Sequence, residues 1–160
     1  MINEQMLKNT TILYVEDDQA IQQNTIITLK LVNATIISAN DGQEGLEKYK
    51  QNQEEIDVVL TDLSMPNMDG LKMIEEIKKI NKDIPVLITT AHQDISYLKK
   101  AIELGITSYI IKPIDIRNII KSISKALEIV NEKKELLKEI ETLKQENQAL
   151  KEQLEEKVST

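Results

Sequence analysis

Cysteine, phenylalanine and tryptophan are absent from this chain, and histidine occurs once. The lack of cysteine excludes disulfides and thiolate metal sites. Without phenylalanine or tryptophan, a core has to be built from Ile, Leu and Val. No apolar run approaches the length of a membrane span. Positive charge is also short: the net charge is −7, which argues against a large nucleic-acid surface, because phosphate binding needs a basic patch. The first residues, Met1 to Thr10, carry neither a basic region nor an apolar one, so they do not read as a signal peptide. The expectation is a cytoplasmic protein with no membrane segment. At 160 residues, 41% apolar and 29% charged, the chain suits one domain with a sizeable core plus an appendage.

What is present is organised around Ile56 to Gly70. Val58, Val59 and Leu60 read as a buried strand that delivers Asp62 to a loop, and the Pro66, Asn67, Asp69 and Gly70 cluster breaks regular structure beyond it. A helix starts near Gly70 and runs to Ile80, with Leu71, Ile74 and Ile77 on one face. Other strands are predicted at Thr11–Val15, Ala34–Ala39, Pro85–Thr89 and Thr107–Ile111. The intervening helices are predicted over Gln19–Leu31, with Ala20, Ile21, Ile27 and Leu31 as its apolar positions, and over Gly45–Asn52 and Asp94–Leu104. Such alternation indicates an α/β fold with a parallel sheet and right-handed crossovers.

In a parallel sheet the carboxyl ends of the strands share one edge, where ligands bind. That edge would collect Glu16 and Asp17, Asp62, Thr90 and Lys112. Three carboxylates repel one another unless a cation lies among them. Oxygen-only ligation points to a hard ion, and Mg2+ suits a site with few carboxylates. A lysine and a hydroxyl beside it fit a phosphoryl group, and a carboxylate so placed can be the nucleophile, giving an acyl phosphate. Asp18 reads better as a helix N-cap than as a further ligand, and Asp69 better as a turn or cap residue. His92 sits at a loop–helix junction and reads as exposed and structural.

These residues resemble the receiver domain of two-component response regulators, the family of the chemotaxis receiver. Ile12-Leu-Tyr-Val-Glu16-Asp17-Asp18 is similar to its acidic-pair motif, and Thr61-Asp62-Leu-Ser-Met-Pro-Asn-Met-Asp-Gly70 to its phosphoacceptor loop. Thr89-Thr90-Ala91 is similar to its hydroxyl switch, and Tyr109-Ile-Ile-Lys112-Pro113 to its aromatic-lysine-proline end. The resemblance covers residues 11–130, with 1–10 as a lead. It implies a doubly wound, flavodoxin-like five-stranded parallel sheet of order 2-1-3-4-5, and phosphorylation of Asp62 by a sensor histidine kinase or a phosphotransfer protein. It further implies that Asp17, Asp62 and the Ser64 backbone carbonyl hold Mg2+, with Glu16 acting through water. Lys112 would pair with Asp62 or its phosphoryl group, Thr90 would move towards the phosphate, and Tyr109 would report the movement. The Lys112–Pro113 bond is expected to be cis.

From Ile116 onward there is no Gly or Pro, which makes the last helix unusually long. Ile116, Ile120, Ile123 and Leu127 form one stripe, expected to pack on the sheet. Ile119, Ala126, Ile129, Leu136, Ile140, Leu143, Leu150 and Leu154 fall on heptad a and d positions, with Lys133 and Asn147 as polar a residues. A lone Asn at a favours two parallel strands, and Glu139 with Lys144, and Glu146 with Lys151, would attract across a parallel dimer. The expectation is a parallel homodimer through residues 119–158, with 131–160 as a coiled-coil extension of the last helix. The main function predicted is a phospho-switch, not an enzyme in the ordinary sense, controlling an output outside these residues, for which a diguanylate cyclase is one candidate. The competing function is a constitutive coiled-coil scaffold with a degenerate receiver. An aspartate-nucleophile phosphatase ranks last, because Ser64 stands where such enzymes usually carry a second acid.

Overall fold

Five apolar runs form the sheet: β1 (Thr11–Val15), β2 (Thr35–Ala39), β3 (Val58–Asp62), β4 (Val86–Thr90) and β5 (Ser108–Ile111). In the computed structural model, which describes residues 5, 7–91 and 95–160, they pair in the order β2-β1-β3-β4-β5 with every neighbour parallel. The helices are α1 (Gln19–Leu31), α2 (Gly42–Asn52), α3 (Gly70–Ile80), α4 (Ile95–Glu103) and α5 (Ile116–Val158). His92 and Asp94 lie outside the described residues.

Side chains alternate across a strand, so each run supplies two faces. Leu13, Val15 and Val59 join Leu46 and Tyr49 of α2 and Ile74 and Ile77 of α3 in one core cluster. Ile12, Tyr14, Val58 and Leu60 join Ile26 and Leu29 of α1 and Ile119, Ile120 and Ile123 of α5 in the other. Both faces are covered, which is why the strands read as continuous apolar runs rather than alternating ones. Leu7 is fully buried in the second cluster, so the lead contributes to the core.

Several boundaries differ from the sequence reading, each for a local reason. α2 begins at Gly42 rather than Gly45 because Asp41 caps it, its Oδ1 accepting the Glu44 N–H at 2.8 Å. β4 runs from Val86 to Thr90, one residue later than predicted. Pro85 has no N–H to donate and supplies only its carbonyl, to the Val59 N–H at 3.0 Å. On α1, Ile27 and Leu31 are exposed, at 60% and 77%, whereas Gln22, Thr25, Ile26 and Leu29 are buried. The inner face of that helix therefore takes two polar residues from its middle, Gln22 and Thr25, beside Ile26 and Leu29.

The chain divides into two units, Met1–Leu127 and Glu128–Thr160. Within the first, Ile119 and Ala126 are buried in the core, at 0% and 1% exposure. This corrects the predicted dimer seam through 119–158, because side chains already enclosed by the sheet and α1 have no surface to offer a second chain. The second unit is helical to Val158. Its Ile129, Leu136, Leu137, Ile140, Leu143, Leu150 and Leu154 are between 46% and 62% exposed, and Val158 is 85% exposed. Among the described residues no helix is long and apolar enough to cross a membrane.

Candidate functional site

The carboxyl ends of β1, β3 and β5 meet as the parallel register requires. Just beyond β1, Glu16 is buried and Asp17 exposed, while Asp18 turns away to cap α1 with Oδ1 accepting the Ala20 and Ile21 N–H groups at 3.0 Å each. At the end of β3, Asp62 is 6% exposed and its Oδ1 accepts the Leu63 N–H at 2.7 Å. One carboxylate oxygen from each of Glu16, Asp17 and Asp62 lies within 4.8 Å of the others. Lys112, immediately after β5, donates from Nζ to Asp62 Oδ2 at 2.9 Å and to Glu16 Oε2 at 3.1 Å. Its backbone N–H donates to the Thr90 carbonyl at 2.9 Å, tying the ends of β4 and β5 together beside the pocket.

Among the predicted site residues, Glu16, Asp17, Asp62 and Lys112 are thus brought together, and Thr90 is buried at the adjoining strand end. Ser64 follows in the β3–α3 loop with its side chain exposed, and Tyr109 is a half-exposed residue of β5. The Lys112–Pro113 peptide is cis. Asp69 caps α3 through the Lys72 N–H at 2.8 Å and is no member of the cluster. The expectation for His92 falls outside the described residues.

Burial pushes the Glu16 carboxyl above its usual range, against the pull of Lys112 and of the Asp18 N–H. Burial alone would lower the Lys112 ammonium, but its hydrogen bonds to Asp62 and Glu16 outweigh this and raise it. One ammonium therefore faces three carboxylates, and a pocket with that imbalance favours a further cation. The donors are all oxygens, which fits Mg2+.

A raised carboxyl contributes stability below its unfolded value and loses it as pH rises through the folded one. Glu16→Gln, which keeps an acceptor for the Asp18 N–H, is therefore expected to make the metal-free protein more stable than wild type at neutral pH. The difference should vanish below the ordinary glutamate range. Mg2+ affinity should move the opposite way, and urea melts at two pH values with a Mg2+ titration check both.

Several contacts that hold the site in place escaped the sequence reading. Gln22 is 3% exposed, and its Nε2 donates to the carbonyls of Glu16 and Ala39, each at 2.9 Å, fixing the turn that carries the acid pair. Its only signal was a polar residue in a helix middle. Gly70 lies so close to β3 that a Cβ there would strike the Asp62 carbonyl oxygen, and its N–H donates to the Leu63 carbonyl at 2.8 Å. The loop between is also tied sideways: Asn67 Nδ2 donates to Asp41 Oδ2 at 2.7 Å, and the Gly42 N–H to the Met68 carbonyl at 3.1 Å.

A doubly wound sheet with a carboxylate cluster and one lysine at its carboxyl edge defines a class of signalling domain. The response regulator receiver domain model matches residues 12–124, and the chain belongs to that family. It is 37% identical over 120 residues to the transcriptional regulatory protein ZraR of Escherichia coli, covering 74% of this chain and 26% of that one. A response regulator receiver domain from Clostridium thermocellum superposes with a TM-score of 0.72 at 33% identity, over 79% of this chain and 98% of that one. The CheX–CheY–BeF3–Mg complex from Borrelia burgdorferi gives 0.69 at 26% identity, over 72% and 87%. The chain spans about a quarter or less of the length of the first curated relatives it matches. Receiver domains belong to two-component signalling and bind Mg2+ through an acidic cluster, which here comprises Glu16, Asp17 and Asp62.

Proposed function

We propose that Asp62 accepts a phosphoryl group from the phosphohistidine of a sensor histidine kinase or phosphotransfer protein, in the cytoplasm. The observation that carries this reading is the bridge of Lys112 Nζ to both Asp62 and Glu16, beside the exposed Asp17. An Asp62 carboxylate oxygen forms the new O–P bond as the N–P bond of the donor breaks, and the imidazole leaves. Mg2+ held by Asp17, Asp62 and the Ser64 carbonyl, with Glu16 through water, would supply charge neutralisation at the phosphoryl oxygens. Lys112 exchanges its bond with the Asp62 oxygen for one with the phosphoryl group, which it can follow because it already reaches into the pocket. Thr90, buried at the end of β4, moves to hydrogen-bond a phosphoryl oxygen, and Tyr109, exposed one strand away, relays the change to the surface. The complex of a relative with Mg and a fluoroberyllate supports the same site here by likeness.

The second unit is a parallel coiled coil with a second copy, running from Ile129 to Val158. Its support is the row of exposed apolar a and d residues, interrupted by Asn147, with Glu139 and Lys144 placed for attraction between chains. The switch acts through this paired helix on an output beyond these residues, for which a diguanylate cyclase is one candidate.

Incubating the protein with a small-molecule phosphodonor and Mg2+ tests the first reading. The whole-protein mass should rise by one phosphoryl group, and Asp62→Asn should show no rise. Labelling that persists in the variant, or none in wild type, would overturn it.

A further inference from the structure

We infer that Asp41 and Asn67 form a clamp that positions the β3–α3 loop for cation binding, an inference that rests on the metal site just proposed. The loop from Leu63 to Asp69 is anchored at one end by Asp62 Oδ1 and the Leu63 carbonyl, and at the other by the Gly70 N–H and the Asp69 cap. Near its start stands Ser64, whose carbonyl is, in the proposed site, the one metal donor contributed by backbone rather than by a side chain. A backbone donor has no rotamer with which to adjust, so its place is set wholly by how the loop is held.

Two bonds, at Asn67 and Met68, hold the far side of the loop against the β2–α2 turn, and with the anchor at Leu63 they fix the short span that carries Ser64. Asn67 Nδ2 donates to Asp41 Oδ2 at 2.7 Å, and the Gly42 N–H donates to the Met68 carbonyl at 3.1 Å. Asn67 sits at φ 63°, in the left-handed region that asparagine tolerates and that most residues avoid. Met68 N–H closes onto the Pro66 carbonyl at 2.7 Å, so the loop makes a tight reversal at the clamp. Asp41 works with both oxygens: Oδ1 caps α2 through the Glu44 N–H at 2.8 Å, while Oδ2 takes Asn67. The carboxylate is thus fixed by the helix before it meets the loop, and these two hydrogen bonds hold it ionised, below the usual aspartate range. A second element therefore dictates where the loop stands.

The division of labour within Asp41 permits a clean test. Asp41→Ser keeps one oxygen for the cap and loses the one for Asn67. Asn67→Gly keeps the left-handed backbone and loses only the amide. Each single variant is expected to weaken Mg2+ binding, measured by calorimetry on the whole chain, by about fivefold, the net scale of one ordinary hydrogen bond, since this one is exposed to solvent. The double variant should be no weaker than either single one, because the two residues act as one bond. Asn67→Asp, which sets two carboxylates against each other, should lose the most. Urea melts of the same variants separate positioning from general weakening: the midpoints of Asn67→Gly and wild type should agree within the range of ordinary surface changes. Wild-type affinity in Asn67→Gly, or losses that add in the double variant, would overturn the clamp while leaving the metal site standing. Failure of wild type itself to bind Mg2+ would overturn both.

Discussion

Lys112→Ala is expected to destabilise the metal-free protein by about 3–5 kcal/mol at pH 8, the cost of leaving buried charge without its partner. In the wild type one ammonium serves both Glu16 and Asp62, whose side chains are 1% and 9% exposed. Removing it leaves two buried carboxylates facing each other with no counter-charge inside the fold. The pH dependence identifies the cause. Burial already raises Glu16, and loss of the lysine removes a group that was pulling it down. A raised carboxyl contributes its stability below the unfolded value and loses it as pH climbs through the folded one. The variant should therefore approach wild type in acid and diverge as pH rises. Mg2+ should restore much of the loss, because a dication among three oxygens replaces the missing charge. Urea melts at pH 5 and pH 8, with and without Mg2+, read all of this. A loss that is the same at both pH values and indifferent to Mg2+ would mean that Lys112 contributes packing rather than charge.

Leu143→Lys should dissociate the paired helix. Leu143 is 51% exposed in the single chain and occupies a d position of the proposed seam. Truncating a buried leucine costs at least about 2 kcal/mol, so two copies lose roughly 4 kcal/mol before the facing ammonium groups repel. That corresponds to about a thousandfold in dimer affinity, since each 1.4 kcal/mol is tenfold. Sedimentation velocity across a concentration series should show the wild type as dimer and the variant as monomer. Phosphodonor labelling of Asp62 should be unchanged, because Leu143 belongs to the second unit and the acid pocket to the first. An equally strong dimer would refute the heptad frame, and a monomeric wild type would remove the coiled coil from the proposal.

The residues of the acid pocket were readable in the sequence because each lies at an abrupt change from apolar run to polar group. Val15 gives way to Glu16, Leu60 and Thr61 to Asp62, and Ile111 to Lys112. A parallel sheet then leaves no choice of edge, and the order β2-β1-β3-β4-β5 puts β1 and β3 side by side. What supports the pocket was not readable. Gln22 is a buried polar residue whose partners, the Glu16 and Ala39 carbonyls, are 6 and 17 positions away. Asn67 and Asp41 are 26 positions apart. Hydrogen bonds of this kind leave no periodic trace, because they depend on where two loops meet.

The long helix divides the same way. Its length and heptads follow from local pattern alone: no glycine or proline after Ile116, and apolar residues recurring at a and d. Which of those residues remain open to a second chain does not follow from pattern. Ile119 and Ala126 obey the heptad as well as Leu143 does, yet they are buried in the core of the first unit, whereas Leu143 in the second is exposed. Periodicity records which face of a helix is apolar, and a single chain can satisfy that requirement against its own core or against another chain. Local pattern thus specifies the strands, the helices, the acid set with its lysine and the reach of the last helix. Which apolar face is already covered, and which distant side chains hold the pocket in place, follows from packing, because burial is a property of the packed molecule and not of any segment.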